Sequence, residues 1–295
     1  MITIYIPPLN YIVMSKKNTY YYITICILYI VLIITLFFIF KTKLFQPVHS
    51  GEKWFVTFGG PSSDYHNAAK RLTQEVNNIQ LFDHLYGYTD LDLKNDKEFW
   101  DKHGKLAEAT TFHRGGYGYW IWKAYLILKT MKSMNDNDIL LYADAGCTIR
   151  SDDQYNTKYD DMVNLINKCN EKEILFTSTE QVEKHYSKMD LIKYLEMDNN
   201  TDALNSTQYQ ATVIMIKKTD RMYRFVNKWY SIMSNNYDLI DGNHSKKYKE
   251  LKEFKDGRND QSVFSLLAKK NGIDKSHMLP YENHDPILIS RRRSG

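Results

Sequence analysis

RGGYGYWIWKAYLILKTMKSMNDNDILLYADAGC, running from Arg114 to Cys147, decides the fold class. Gly115, Gly116 and Gly118 make a flexible entry to a helix of about 15 residues. Turn chemistry from Asn135 to Asp138 ends that helix, and Ile139 to Ala143 then reads as a central strand. At 100° per residue Lys123 lies half a helical circuit from Lys132, off the solvated stripe of Lys129 and Lys132 and close to the helix start. It is open to two readings, a lysine snorkelling at a domain edge or a cation beside a diphosphate. Asp144 closes the apolar run and precedes Ala145-Gly146, which puts a carboxylate where open α/β sheets bind ligands. It either satisfies backbone groups of an Asp-x-Gly turn or holds Mg²⁺ or Mn²⁺ against a nucleoside diphosphate.

Toward the N-terminus, Lys53 to Phe58 (KWFVTF) is a strand that stops at Gly59-Gly60-Pro61-Ser62. Ser62 or Ser63 caps a helix running to about Asn78, and Ile79 to Tyr88 supplies a second strand. The opening is therefore βαβ and implies parallel pairing. Gly59-Gly60 is either a plain turn or a loop that lets a ligand approach. Toward the C-terminus, Glu173 to Ser178 (EILFTS) is a short strand and Glu183 to Asp190 (EKHYSKMD) opens a helix with polar groups of both signs. Tyr209 to Lys217 (YQATVIMIK) is a buried strand. Thr219 then caps an amphipathic helix with core positions Met222, Phe225, Val226, Trp229 and Ile232. Asp260 begins a last helix, DQSVFSLLAKK, as an N-cap that also presents Gln261, and Asn271-Gly272 closes it.

The 295 residues are 43% hydrophobic and 25% charged, which fits one large ordered domain plus an anchor. A net charge of +4 with interleaved signs does not make a nucleic-acid surface. Cys26, Cys147 and Cys169 are too few for a disulfide scaffold or a zinc site. Sequons start at Asn199, Asn205 and Asn243, and in a chain rich in Asn they permit a lumenal domain without arguing for one. From Thr19 to Phe40 no charge interrupts the chain, and at 1.5 Å per residue this run reaches roughly 33 Å, enough to span a bilayer. It ends in bulky Phe37, Phe38 and Phe40 followed by Lys41, which marks a retained signal anchor rather than a cleaved peptide. The expected organisation is an arm at 1–18, an anchor at 19–40, a linker at 41–52, a catalytic domain at 53–285 and a basic tail at 286–295. The short arm favours a type II arrangement with the large domain lumenal or extracytoplasmic.

Taken in order, Gly118, Tyr119, Trp122 and Lys123, the strand LLYADAGC (Leu140 to Cys147), EKHYSKMD, YQATVIMIKKTD and NDQSVFSLL (Asn259 to Leu267) resemble GT-A-type glycosyltransferases of bacterial surface-polysaccharide gene sets and large DNA viruses. The resemblance covers roughly residues 53 to 275 and departs from the family at two places: Gly146 stands at the second acidic position of the usual Asp-x-Asp, and Asn259 where His is common. It implies a Rossmann-like nucleotide-binding half on a mixed central sheet, and hexosyl-type transfer from a nucleotide sugar to a glycan, protein or lipid-linked acceptor. Asp144, Asp260 and Lys123 are the expected catalytic residues, with Asp144 the metal ligand if Mn²⁺ or Mg²⁺ is used. Phe58, Gly59, Gly60, Trp122, Lys123, Asp144, Gly146 and Gln261 are expected to meet the donor. Glu183, Lys188, Asp190 and Gln210 are expected to face the sugar or the acceptor, and Asp260, Glu183 and Asp190 are the candidate bases. The rival from another class is a membrane-tethered protein that binds carbohydrate or nucleotide sugar without turnover.

Overall fold

The computed structural model describes residues 24–35, 51–110, 116–150, 157–279 and 286–292. The chain divides into two units, Met1–Val48 and His49–Gly295. In the first, residues 24–35 are helical with exposed side chains. No helix among the described residues is long and apolar enough to cross a membrane. Residues 19–23 and 36–40 of the expected anchor lie outside the described residues, as do the arm at 1–18 and most of the linker, so the anchor stands on the sequence alone. Arg114 and Gly115 of the glycine-rich entry and Arg293 of the tail also lie outside them.

The second unit is a mixed α/β domain, and the labels below refer to it. Strands β1 (Lys53–Gly59), β2 (His84–Thr89), β3 (Ile139–Ala143), β5 (Ile174–Val182) and β6 (Thr207–Lys217) form one sheet in the order β2-β1-β3-β6-β5. β1 pairs in parallel with both β2 and β3, whereas β6 runs antiparallel to β3 and to β5. The parallel opening expected from the sequence is present, and an antiparallel strand then enters the middle of the sheet. Helix α1 (Ser63–Ile79) links β1 to β2, and Ser62 caps it by accepting from the Tyr65 amide at 3.3 Å. Helices α2 (Asp90–Asn95), α3 (Lys97–Ala109) and α4 (Ile121–Ser133) carry the chain from β2 across to the far side of β1. The order of strands therefore reverses between β1 and β3, which makes their carboxyl ends the topological switch point.

Alternate residues of the strands feed two cores. Trp54, Val56, Phe58, Leu140 and Tyr142 pack toward α4, α9 (Asp220–Asn235) and α10 (Asn259–Lys270). Phe55, Leu141 and Ala143 face α1 and α5 (Thr157–Lys172). Burial on both faces is why these strands read as continuous apolar runs. Helix α4 is buried from Ile121 to Leu128, all round rather than along one stripe, so Lys123 is buried with it. EKHYSKMD forms two short helices, α6 (Glu183–Tyr186) and α7 (Met189–Tyr194), before α8 (Thr201–Asn205) leads into β6. Helix α10 starts at Asn259 with Arg258 in the cap position, so Asp260 lies inside its first turn and does not cap it. The segment expected as a solvated tail instead returns to the domain: β7 (Ile287–Leu288) pairs with β4 (Thr148–Ile149), and the Arg292 amide donates to Gly146 O at 2.9 Å.

On α3, His103 is buried between two phenols, with Nδ1 2.8 Å from Tyr237 Oη and Nε2 3.0 Å from Tyr230 Oη. Burial, assisted by Lys102, pushes its pKa down to about 4. Between pH 6.5 and 4 the unfolded chain binds this proton and the folded one does not, so stability falls as pH falls through that window. At one pKa unit per 1.36 kcal/mol the loss reaches about 3 kcal/mol. The melting temperature of His103→Gln should therefore decline less over this range than that of the parent protein; parallel curves would show that the imidazole is not held neutral.

Candidate functional site

Antiparallel insertion of β6 brings its first residues, and the last residues of β5, to the edge where β1, β2 and β3 end. Gly59-Gly60, Asp90, Asp144-Gly146, Gln181 and Gln208–Gln210 thus gather along one side of the sheet. At the centre, the Lys123 ammonium lies 2.8 Å from Asp260 Oδ2 and 3.2 Å from Asp144 Oδ1, and it donates to Ala211 O at 2.9 Å. The ammonium thus makes one hydrogen bond and two close ion pairs, and Asp260 Oδ2 is buried without a hydrogen bond. The Lys123 side chain is 4% exposed and that of Asp260 8%, whereas Asp144 keeps 36% of its side chain open to solvent.

Burial alone would lower the Lys123 pKa, but Asp144 and Asp260 outweigh it and hold the ammonium above its ordinary range. Burial raises the pKa of Asp260, and Lys123 offsets only part of that. Tyr142 Oη donates to Asp144 Oδ1 at 2.6 Å, while no described residue supplies Oδ2 with a partner. Asp144 is therefore oriented through one oxygen and presents the other. Its backbone is fixed as well, since its amide donates to Thr212 O at 2.9 Å and its carbonyl accepts from the Cys147 amide at 2.8 Å.

Several expected roles change in this setting. Lys123 does not snorkel; its ammonium is enclosed in the protein and joins two carboxylates. Phe58 and Trp122 stack at 4.0 Å and are both buried, so their rings pack in the core rather than offering a surface to the donor. A Cβ on Gly59 would come within 2.3 Å of Tyr65 O, so this glycine serves the close approach of α1 to β1. Gly60 has no neighbour closer than 3.9 Å to such a Cβ and leaves its loop accessible. At Gly146 the nearest atom is Arg291 Cα at 3.3 Å, because the returning chain packs over this turn.

Glu183 is fully buried, with Ser187, Gln208, Ser265 and Lys269 on its two oxygens, and cannot face a substrate. Buried Lys188 donates to Asp238 O at 2.6 Å and Asp241 Oδ1 at 2.8 Å, and approaches Asp190 Oδ2 to 3.9 Å. That Asp190 oxygen is buried without a hydrogen bond. Burial would raise the Asp241 pKa, but Lys188 and Asn243 together hold it below the usual carboxylate range. Gln210 is half-buried on β6 beside Ala211, and Gln261 is half-buried on α10.

Three contributors escaped the sequence reading. Arg71, which pairs with Glu75 at 2.7 Å like an ordinary surface i,i+4 pair, also donates to Ala145 O at 2.9 Å and Cys147 O at 3.0 Å and so clamps the turn after Asp144. His66 meets buried Asp90 at 2.7 Å across 24 residues of sequence. Gln208, adjacent to the quoted YQATVIMIK run, links Glu183 to Gln261. Only the i,i+4 spacing of Arg71 and Glu75 left a sequence signal, and it pointed to the surface.

No protein-family model and no curated protein matches the chain. Among solved structures it is similar to mouse xyloside xylosyltransferase 1 in its apo form, with 11% identity over 75% of this chain and 83% of that one and a TM-score of 0.37. It is also similar to the galactosyltransferase LgtC in complex with donor and acceptor sugar analogues, with 12% identity over 78% of this chain and 73% of that one and a TM-score of 0.35. Likenesses this loose say nothing about chemistry, which rests on the side chains.

Removing Lys123 strands the buried Asp260 carboxylate. Lys123→Met should lower unfolding free energy in urea by about 3 kcal/mol, the scale for breaking a buried pair. Lys123→Met/Asp260→Asn should recover part of it. A double variant no more stable than the single one would refute the pairing.

Proposed function

We propose that the chain is a glycosyltransferase that takes a sugar from a nucleotide donor bound at the switch point between β1 and β3. The observation that carries this is Asp144, half-open at the carboxyl end of β3 and held by Tyr142 and Lys123, next to a second carboxylate on the same lysine. The resemblance of the motifs around Lys123, Asp144 and Asp260 to GT-A-type enzymes supports the same chemistry. The chain contains no G-x-x-x-x-G-K-[ST] segment, which counts against phosphoryl transfer.

In this mechanism the accessible Gly60 loop and the start of α1 accommodate the diphosphate, since the first amides of a helix favour anions. Among the described residues no three His, Cys, Asp or Glu side chains group so as to hold a metal ion. Asp144, through the Oδ2 that no described residue occupies, would hold a Mn²⁺ or Mg²⁺ ion. Bound there, it would supply positive charge to the diphosphate. Lys123 acts one layer behind, holding the Asp144 and Asp260 carboxyl groups in place. Of the expected bases Glu183 drops out because its oxygens are fully occupied; Asp190 and Asp260 remain to take the acceptor's proton. The acceptor, a glycan, protein or lipid-linked sugar, would lie toward Lys188, Asp190 and Gln210. The apolar run at 19–40 would tether the domain as a type II membrane protein.

Gly146 stands where the usual Asp-x-Asp has its second acid, and this also favours a binding protein that keeps a nucleotide-sugar site without turnover. Both readings are tested by incubating the full chain in detergent with UDP- and GDP-hexoses and following nucleoside diphosphate release, with Mn²⁺, Mg²⁺ or chelator. The transferase should release diphosphate from one donor, and Asp144→Asn should slow it about 100-fold, the scale of losing one electrostatic contact in a transition state. Donor binding with no release in the presence of candidate acceptors would favour the binding protein; an unaltered rate in folded Asp144→Asn would remove Asp144 from the mechanism.

A further inference from the structure

Glu183, Gln208 and Gln261 form a chain of hydrogen bonds whose polarity is set at one end. Glu183 accepts from Lys269 Nζ and Ser265 Oγ at 2.5 and 2.6 Å on Oε2, and from Ser187 Oγ at 2.5 Å on Oε1. Burial lowers the Lys269 pKa and Glu183 opposes it. Everything facing the Gln208 terminal nitrogen is an acceptor: Glu183 Oε1 at 3.0 Å, Tyr186 O at 3.3 Å, and the hydroxyl oxygens of Ser187 at 3.1 Å and Ser262 at 3.2 Å. Those two hydroxyls have already given their protons, Ser187 to Glu183 and Ser262 to Tyr186 O at 2.6 Å.

An amide inverted at Gln208 would set its carbonyl against four acceptors, so its nitrogen must stay on this side and its Oε1 must face the other way. That oxygen accepts from Gln261 Nε2 at 2.7 Å, and Gln181 Oε1 accepts from the same nitrogen at 3.1 Å. Both amide protons of Gln261 are thereby committed. Its Oε1 has no partner among the described residues and stands one position after Asp260, at a half-buried place on the ligand edge.

We infer that the buried Glu183–Lys269 pair, acting through Gln208, fixes Gln261 with its carbonyl oxygen toward the crevice, where it accepts a hydrogen bond from a hydroxyl of the donor sugar. Gln261 is then a specificity residue for a group that donates, and Glu183 is a positioning residue that never meets the substrate. This rests on the glycosyltransferase proposal for the identity of the ligand, but not for the orientation of the amide. A site built to accept from a hydroxyl discriminates strongly against an analogue that cannot donate, because its own acceptor is left unpaired.

Two measurements separate these parts. In protein labelled with ¹⁵N-glutamine, the side-chain amide protons of Gln208 and Gln261 should exchange with solvent at least tenfold more slowly than those of an exposed glutamine. Glu183→Gln, or Gln208→Met should that variant not fold, should abolish protection at Gln261 while backbone amides of α10 keep theirs. Free exchange at Gln261 in the parent protein, or protection that survives in a folded variant, would overturn the relay whatever the enzyme does. Binding of UDP-glucose and GDP-mannose, each with its monodeoxyfluoro analogues, tests the second part. Fluorine keeps the size of a hydroxyl and cannot donate, so one fluorinated position should weaken binding at least tenfold. Gln261→Met should erase that difference. Equal binding of all analogues to the parent protein overturns the specificity role; failure of every nucleotide sugar to bind sinks the transferase proposal, and the exchange data then judge the relay alone.

Discussion

The ammonium of Lys123 is the contact on which the ligand edge depends. It comes from α4, reaches Asp144 at the end of β3, Asp260 in the first turn of α10 and the Ala211 carbonyl on β6. Four elements that are distant in sequence meet at one nitrogen. Burial raises the pKa of Asp260 and Lys123 opposes that rise. The cation between the two carboxyl groups fixes their positions, and the one after β3 keeps 36% of its side chain open to solvent. The arrangement is costly, because burying charge loses hydration and Asp260 Oδ2 is left without a hydrogen bond.

Around this contact the sheet supplies direction. Three parallel strands alone would align their carboxyl ends and leave one switch point. Running β6 antiparallel between β3 and β5 adds the beginning of one strand and the end of another to the same edge. That places glutamines beside the carboxylates and gives the site polar groups that are neutral and orientable. The C-terminal segment closes the same region from the far side, held over Gly146 by Arg71 and by its own backbone.

Two buried lysines therefore organise this edge in different ways. Lys123 aligns two acids, and the more exposed of them stays open to solvent. Lys269 is matched with a single acid that is completely enclosed, and the consequence is carried outward by amide orientation rather than by charge. This edge leaves the Asp144 carboxylate partly open to solvent beside an open glycine loop, while Lys123 and Glu183 stay enclosed.

The sequence by itself determined the α/β class, the two strands that meet at the switch point, the helix carrying Lys123 and the position of Asp144 at a strand end. These are local: apolar runs, glycine turns and capping residues act over a few neighbours, and β1, α1, α4 and β3 follow from them. Tertiary structure decided the rest. An apolar run such as YQATVIMIK is the same whether its strand lies parallel or antiparallel, so the mixed order of the sheet was visible only through resemblance. Lys123 and Glu183 have polar side chains that the sequence can place on an element but not inside it; burial depends on partners 21 to 137 residues away, which are found only when the chain closes. The His66–Asp90 pair and the grip of Arg71 on the turn after Asp144 were invisible for that reason, since ion pairs and hydrogen bonds act through space at about 3 Å and leave no period in the sequence.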